Sequence, residues 1–155
     1  MTVSIKMAAP SDIGALQKIV EQTGLFSADM LPDMIQPFLS AEDASFWLVA
    51  EDSESQIGFC YVVPEQMADG TWNMLALGVL PKSQGKGVGG LIVTAAEDHL
   101  REQSQRILIV DTSGTEDFAQ ARNFYAKMGY DQEARIRDYW AEGDDKVTFR
   151  KSLRD

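Results

Sequence analysis

The residues of this chain with the clearest chemical meaning are four glycines within the segment 85–90. They lie between an apolar, strand-like run and an amphipathic, helix-like run, where each glycine would cost a helix interior about 1 kcal/mol. Glycine lets a backbone approach a ligand closely, and a helix N-terminus presents unpaired N–H groups with a partial positive charge. The segment therefore predicts a cradle for a phosphate group, to which Lys82 and Lys86 add local positive charge.

Several kinds of phosphate loop have to be compared with this pattern. Gly85, Gly87 and Gly90 satisfy G-x-G-x-x-G, and Asp111 follows near the position of a ribose-binding acid. The insertion of 81–84 before the first glycine, and the absence of successive β-α-β units, argue against a dinucleotide fold. No Gly-Lys-Ser/Thr closes the loop, which excludes a nucleotide P-loop. A tight turn without a ligand is the remaining alternative.

The elements that must position this loop follow from hydrophobic periodicity. Alternating or short apolar segments predict strands at 3–7, 46–50, 56–63, 71–80, 107–110, 130–140 and 146–151. Spacing of three and four residues predicts helices at 13–23, 88–100 and 118–128, and a further short helix within 25–39 that Pro32 and Pro37 break. The order β-α-α-β-β-β-α-β-α-β-β indicates an α+β (mixed α/β) fold.

Composition limits the class of protein. The 155 residues carry 14 Lys+Arg against 24 Asp+Glu, a net charge of −10. That length predicts a single domain over 1–155, and that acidity predicts no binding to nucleic acid. Neither a basic leader followed by an apolar run nor an apolar stretch of ~20 residues occurs, so we expect a cytoplasmic protein without membrane contact. The one cysteine and one histidine show no metal-ligand spacing, so no metal is expected.

Two motifs resemble those of the GNAT superfamily of N-acyltransferases. Gln84-x-x-Gly87-x-Gly89, which follows a strand and a proline, resembles the acetyl-CoA signature of that superfamily. The segment 121–130 resembles its second motif, A-x-x-x-Y-x-K-x-G-F/Y, and 145–153 resembles its final strand. The element order also agrees over essentially the whole chain. The resemblance implies a central, mixed but mostly antiparallel sheet that is flanked by about four helices.

The resemblance further implies an acetyl-CoA-dependent N-acetyltransferase that acts by direct attack. The acceptor would be a primary amine of a small molecule, an amino acid or a peptide, and a homodimer would be typical of the family. Backbone N–H groups of the loop would bind the pyrophosphate, the preceding strand would pair with pantetheine, and the N–H of Val79 would polarise the acetyl carbonyl. The implied CoA-binding residues are Leu77, Gly78, Val79, Gln84, Gly85, Lys86, Gly87, Val88, Gly89 and Gly90.

Candidate catalytic residues follow from the same resemblance. Tyr125 matches the family tyrosine that serves as general acid, although it also fits a core aromatic on a helix stripe. Some members carry a glutamate base six residues before the valine that matches Val79, but this chain has Asn73 there, which cannot accept a proton. Glu65, just after the third strand, is the first substitute, and Asp111, at the end of the fifth, is the second. Acidic loop residues that only solvate the surface are the alternative for both.

The missing carboxylate at Asn73 also favours a second class, a non-catalytic acyl-CoA-binding sensor or interaction module on the same fold. Tyr125 favours the enzyme. Thr112 and Ser113 are predicted to bond pantetheine or the acceptor, or else to cap the next helix. Five large apolar side chains are expected either to line an acceptor pocket or to pack in the core: Phe26, Met30, Trp72, Tyr139 and Trp140.

Overall fold

The computed structural model describes residues 2–154, which form seven strands and four α-helices joined by short 3₁₀ turns. The strands are β1 (Ser4–Met7), β2 (Phe46–Glu51), β3 (Gln56–Pro64), β4 (Thr71–Val79), β5 (Ile107–Ser113), β6 (Asp131–Ala141) and β7 (Asp144–Ser152). The helices are α1 (Ile13–Thr23), α2 (Leu31–Leu39), α3 (Val88–Glu102) and α4 (Ala119–Lys127). The predicted element order and the mixed, mostly antiparallel sheet are confirmed. The extent of a single domain over 1–155 stays a prediction.

One compact unit contains the described residues up to Pro64 together with Leu75–His99. In it β1, β2 and β3 pair antiparallel in that order, and the second half of β4 is next to β3. Helix α1 buries its predicted apolar stripe. It ends at Gly24, which adopts φ +68° and donates its N–H to the carbonyl of Val20. A left-handed glycine is the common way to end a helix, and the sequence placed it correctly.

The core of this unit lies around β2 and β3. All residues of 46–50 are buried, as is Cys60 on β3, whose thiol is fully enclosed. Glycine is required where β3 and β4 approach each other, because a Cβ on Gly58 would lie 3.0 Å from the carbonyl oxygen of Gly78. Gly78 is constrained in turn, since its own Cβ would lie 2.9 Å from the side chain of Phe59. Close packing therefore requires glycine at both positions.

The other compact unit contains Glu65–Met74 and the described residues from Leu100 onward. Here β4 pairs in parallel with β5 over Thr71–Asn73, β5 pairs antiparallel with β7, and β7 pairs antiparallel with β6. Helix α4 ends before Gly129, which has φ +92° and was predicted as the helix terminus. The β5–β7 ladder therefore fixes which side chains of two distant segments meet.

Three details differ from the sequence predictions. Pro32 and Pro37 both lie inside α2, and neither breaks it. Pro32 is in the first turn, whose N–H groups have no partner within the helix, and Pro37 is near the end, where the helix loses one hydrogen bond. Strand β5 continues to Ser113, so Asp111 and Thr112 belong to the strand itself. Every residue of β6 is exposed, and β6 is an edge strand of the sheet. The alternation of apolar and polar residues predicted a strand but could not show its place at the edge. None of the described helices is long and apolar enough to cross a bilayer.

Candidate active site

Two carboxylates that the sequence singled out separately, Glu65 and Asp111, are brought together by one amide. The Asn73 Nδ2 atom lies 2.9 Å from Glu65 Oε1 and 3.2 Å from Asp111 Oδ2, so that amide nitrogen donates to both. The Asn73 side chain is 6% exposed. An asparagine that cannot act as a base therefore holds two groups that can.

Strand pairing explains why these three side chains meet. Asn73 on β4 is the parallel partner of Ile109 on β5. Asp111 comes two residues later and so projects from the same face as Ile109. Glu65 directly follows β3, and its N–H donates to the carbonyl of Thr71 at 2.8 Å, which returns the chain to the start of β4. The pairing of β4 with β5 and the connection from β3 to β4 thus place the two carboxylates on opposite sides of one amide nitrogen.

The two carboxylates differ in their remaining partners. Asp111 accepts a hydrogen bond from Thr148 Oγ1 at 2.6 Å, and its Oδ2 lies 3.7 Å from Lys146 Nζ. Among the residues that the structure describes, the Glu65 carboxylate has one polar partner, the Asn73 amide, and it forms no ion pair. Asp111 is therefore committed to three donors, whereas Glu65 keeps capacity to accept a proton or an ammonium.

One polar atom in this cluster is left over. Asn73 Oδ1 is buried and has no donor within hydrogen-bond distance among residues 2–154. A buried acceptor without a partner costs about 1–3 kcal/mol, so a donor group from outside the described chain would be stabilised there. The cluster thus offers a carboxylate and an unused carbonyl-type acceptor side by side.

Lys146 and Thr148 were not predicted as site residues. They occupy alternate positions of β7, and register pairs Thr148 with Asp111 and Lys146 with Ser113 on β5. The signal was present in the sequence as polar residues that alternate with the buried Val147 and Phe149. Identifying their partners, however, required the register of β5 against β7.

An aromatic pair lies beside this cluster. Lys146 Nζ stands 4.3 Å from the ring centroid of Tyr139, and the Tyr139 and Trp140 rings meet edge to face with centroids 4.7 Å apart. Trp140 Nε1 donates to the carbonyl oxygen of Thr112 at 3.1 Å, while both rings remain about half exposed. Trp72, by contrast, is buried with its Nε1 bonded to Gln105, so it belongs to the core.

Tyr125 lies in a different environment. Its ring is buried among other aromatic rings, with centroids 5.8 Å from Phe149 and 5.8 Å from Tyr130. Because side chains alternate along a strand, Phe149 projects from the face of β7 opposite to that of Thr148. The contacts of Tyr125 are thus on the other face of the ladder from Asp111, and the structure does not bring Tyr125 into the carboxylate cluster.

The hydroxyls that follow Asp111 already have partners within the chain. Thr112 Oγ1 donates to the carbonyl of Val147 at 3.1 Å, and Ser113 Oγ donates to Asp144 Oδ1 at 2.5 Å. Arg122, which the sequence did not single out, donates from Nη1 to the carbonyl of Ser113 at 2.7 Å. Both hydroxyls thus have structural partners, but they bond to β7 and do not cap α4, the structural role that the sequence had suggested.

The glycine loop has the geometry that suits an anion. Gly85 and Gly87 adopt φ +76° and +85°, and a Cβ on either would meet no atom within 4 Å. Helix α3 begins directly afterwards, with the Leu91 N–H donating to the carbonyl of Gly87 at 3.2 Å. Gln84 Nε2 ties the loop to the end of β4 by donating to the carbonyl of Val79 at 2.9 Å. At the start of α3 the space above Gly85 and Gly87 is therefore open, and their positive φ angles favour a residue without a Cβ.

Comparison with known proteins agrees with these features. The family model of the acetyltransferase (GNAT) domain matches residues 42–132. A mycothiol acetyltransferase of Sanguibacter keddieii is 32% identical over 114 residues, which are 71% of this chain and 35% of that protein. This chain therefore spans about a third of the length of that relative.

Solved structures give the same result. A protein of Desulfovibrio desulfuricans that is assigned to the GNAT family of acetyltransferases superposes with a TM-score of 0.90 at 25% identity, over 99% of this chain and 100% of that one. YncA of Salmonella typhimurium, solved with its cofactor acetyl-CoA, gives a TM-score of 0.81 at 18% identity, over 100% of this chain and 96% of its own. At that lower identity the likeness is one of fold alone.

Proposed function

This chain belongs to the GNAT family of acetyltransferases, and we propose that it transfers the acetyl group of acetyl-CoA to a primary amine by direct attack. The amine would belong to a small molecule, an amino acid or a peptide. The observation that supports this proposal most strongly is the meeting of Glu65 and Asp111 at Asn73. A carboxylate with spare acceptor capacity is the group that an ammonium substrate needs in order to lose its protons.

Acetyl-CoA would be held by the glycine loop and the strand before it. The open space over Gly85 and Gly87, together with the N-terminal N–H groups of α3, supports a role in binding the pyrophosphate. Gln84 would keep the loop in place through its bond to Val79. Lys86 is exposed and would add positive charge. The remaining implied residues of the loop and strand are Leu77, Gly78, Val88, Gly89 and Gly90. Acetyl-CoA supplies the thioester from which the acetyl group is transferred.

The acceptor would bind as an ammonium beside Glu65 and release its first proton to solvent water before it attacks. As the new C–N bond forms and the C–S bond breaks, Glu65 takes the second proton that the nitrogen must lose. Asp111 is the weaker candidate for this role, because Thr148 and Lys146 already occupy its oxygens. We assign Asp111 to holding Asn73 in place, which leaves Glu65 as the proposed base.

Tyr125 is the proposed general acid, which returns a proton to the thiolate that leaves. A phenol is protonated at neutral pH and can donate. Its contacts lie on the opposite face of the β5–β7 ladder from Asp111. What supports this role is therefore the match of 121–130 to the second family motif, and not proximity to the carboxylates.

The experiment is to measure thiol release from acetyl-CoA with a panel of primary amines, for wild type and for Glu65→Gln. We expect kcat to fall by about 10²–10⁴-fold in Glu65→Gln, with little change in acetyl-CoA affinity. Glu21→Gln, an exposed carboxylate on α1, is the matched control and should keep wild-type kcat. Binding of acetyl-CoA without turnover of any amine would instead identify a non-catalytic binding module. An unchanged kcat in Glu65→Gln would exclude Glu65 as the base.

A further inference from the structure

We infer that Lys146 determines acceptor specificity: its ammonium occupies one of two cation-binding positions at the carboxylate cluster and thereby restricts the acceptor to amines with a single positive charge near the reacting nitrogen. This inference rests on the proposed function and concerns the same site. It names a residue and a substrate class, monoamines, that the proposed reaction alone does not specify.

Lys146 is held by a carboxylate and an aromatic ring. Its Nζ lies 3.7 Å from Asp111 Oδ2 and 4.3 Å from the ring centroid of Tyr139. A carboxylate with an aromatic face is a favourable environment for any alkyl ammonium. The side chains of Lys146 and Asp111 are only 19% and 16% exposed, so water screens this pair less than an ordinary surface pair. The protein thus holds its own primary ammonium in this position.

The two carboxylates of the cluster differ in whether a cation offsets their charge. Asn73 Nδ2 lies between two carboxylates, and Lys146 offsets the charge of Asp111. No ion pair offsets the charge of Glu65 among the residues that the structure describes. One uncompensated negative charge is therefore left at the cluster, and one ammonium neutralises it.

The side-chain oxygen of Asn73 is a further acceptor in this cluster. Asn73 Oδ1 is buried, and within residues 2–154 no donor reaches it. It belongs to the same amide that binds Glu65, so an ammonium at Glu65 would find a second acceptor there. The cluster consequently offers one cation-binding position at Glu65 and Asn73 Oδ1, and Lys146 occupies the other, at Asp111 and Tyr139.

A short diamine would bring two ammonium groups to a cluster with one uncompensated negative charge. Its second ammonium would stand close to Lys146, and an uncompensated like-charge contact is strongly unfavourable. Removal of the lysine charge would free Asp111 and the Tyr139 ring to receive that second ammonium. Lys146 would then act by excluding diamines rather than by contacting the reacting atoms.

The test uses two amines with the same carbon chain, butylamine and 1,4-diaminobutane, and compares kcat/KM for thiol release. In Lys146→Met, which keeps the length and removes the charge, we expect the diamine-to-monoamine ratio to rise about tenfold or more. Lys146→Arg keeps the charge and should keep the wild-type ratio. A ratio that does not change in Lys146→Met would overturn the inference, as would an equal rise in both variants.

If neither amine is acetylated although acetyl-CoA binds, the proposed function fails, and calorimetric titration of both amines then gives the ratio as dissociation constants. Preference for butylamine that Lys146→Met abolishes would support the inference, and equal or undetectable binding of both amines would overturn it.

Discussion

Glu65 accepts a hydrogen bond of 2.9 Å from the side-chain amide of Asn73, so the candidate base is fixed to strand β4 by a residue that has no basic function of its own. An amide nitrogen between two carboxylates separates like charges that would otherwise repel each other. The position therefore requires a side chain that donates hydrogen bonds, and not only one of the same size.

Replacement of Asn73 by Asp tests this requirement. The variant keeps the shape but loses the donor to Glu65 and Asp111 and places a third carboxylate in a buried position. We expect the free energy of unfolding at neutral pH to fall by about 1–3 kcal/mol, with loss of acetyl transfer. Chemical denaturation measures the first effect, and Asn123→Asp on the exposed part of α4 is the control. Equal stability of the two variants would mean that Asn73 does not hold the carboxylates apart.

The glycine loop gives a prediction about backbone conformation. Gly87 has φ +85°, where an alanine would be strained by about 1–2 kcal/mol or would shift the loop. We expect Gly87→Ala to weaken acetyl-CoA binding by roughly 5–30-fold, measured by calorimetry. Gly14→Ala is the matched control, since a Cβ on Gly14 in α1 meets no atom within 4 Å and its φ is not positive. That control should keep the affinity and slightly stabilise the fold. Similar affinities in the two variants would contradict the cradle.

Tyr125→Phe separates a general acid from a packing residue. The ring would still fill its place against Phe149 and Tyr130, so the melting temperature and the acetyl-CoA affinity should stay near the wild-type values. Loss of the phenolic proton should lower kcat by about 10²–10⁴-fold. Tyr130→Phe, in the same ring cluster, is the comparison that removes a hydroxyl without a proposed catalytic role. If kcat is the same in both variants, another group or water protonates the thiolate.

Asp12 predicts how stability depends on pH. Burial is the largest influence and raises the pKa of this carboxyl, but the Ala9 N–H, Gln56 and Lys6 together outweigh it and lower the pKa below its ordinary value. Because the folded-state pKa is the lower one, this contribution is fully present above about pH 4 and disappears as the pH falls through the folded-state pKa. We expect Asp12→Asn to be less stable than wild type by about 1–3 kcal/mol at neutral pH.

The comparison with Asp12→Asn is made by urea unfolding between pH 7 and pH 2. Asp52 and Asp145 also have lowered pKa values, mainly because backbone N–H groups donate to them. Both carboxyls are present in wild type and in Asp12→Asn, so their effect on acid stability is the same in the two proteins. The difference between the two curves isolates Asp12 and should shrink below about pH 4. A difference that stays constant down to pH 2 would show that Asp12 does not act through its charge.

The sequence predicted the element order and the helix ends at Gly24 and Gly129, because these features depend on local spacing and on backbone conformation. It also selected Glu65 and Asp111. It could not predict that they share Asn73, because a hydrogen bond between positions 38 residues apart depends on the parallel pairing of β4 with β5. The roles of Lys146 and Thr148 were missed for the same reason, since local alternation marks them as polar strand residues and leaves their partners undefined.

The buried thiol of Cys60 has a practical consequence for the measurement of thiol release from acetyl-CoA. Burial raises its pKa to about 12, and thiol reagents attack the thiolate, so in the folded protein this sulfur should not react with a chromogenic disulfide. Cys60 is the single cysteine of the chain. The colour that develops during turnover would then come from released CoA alone, and a later rise of one equivalent per chain would report that the fold has opened.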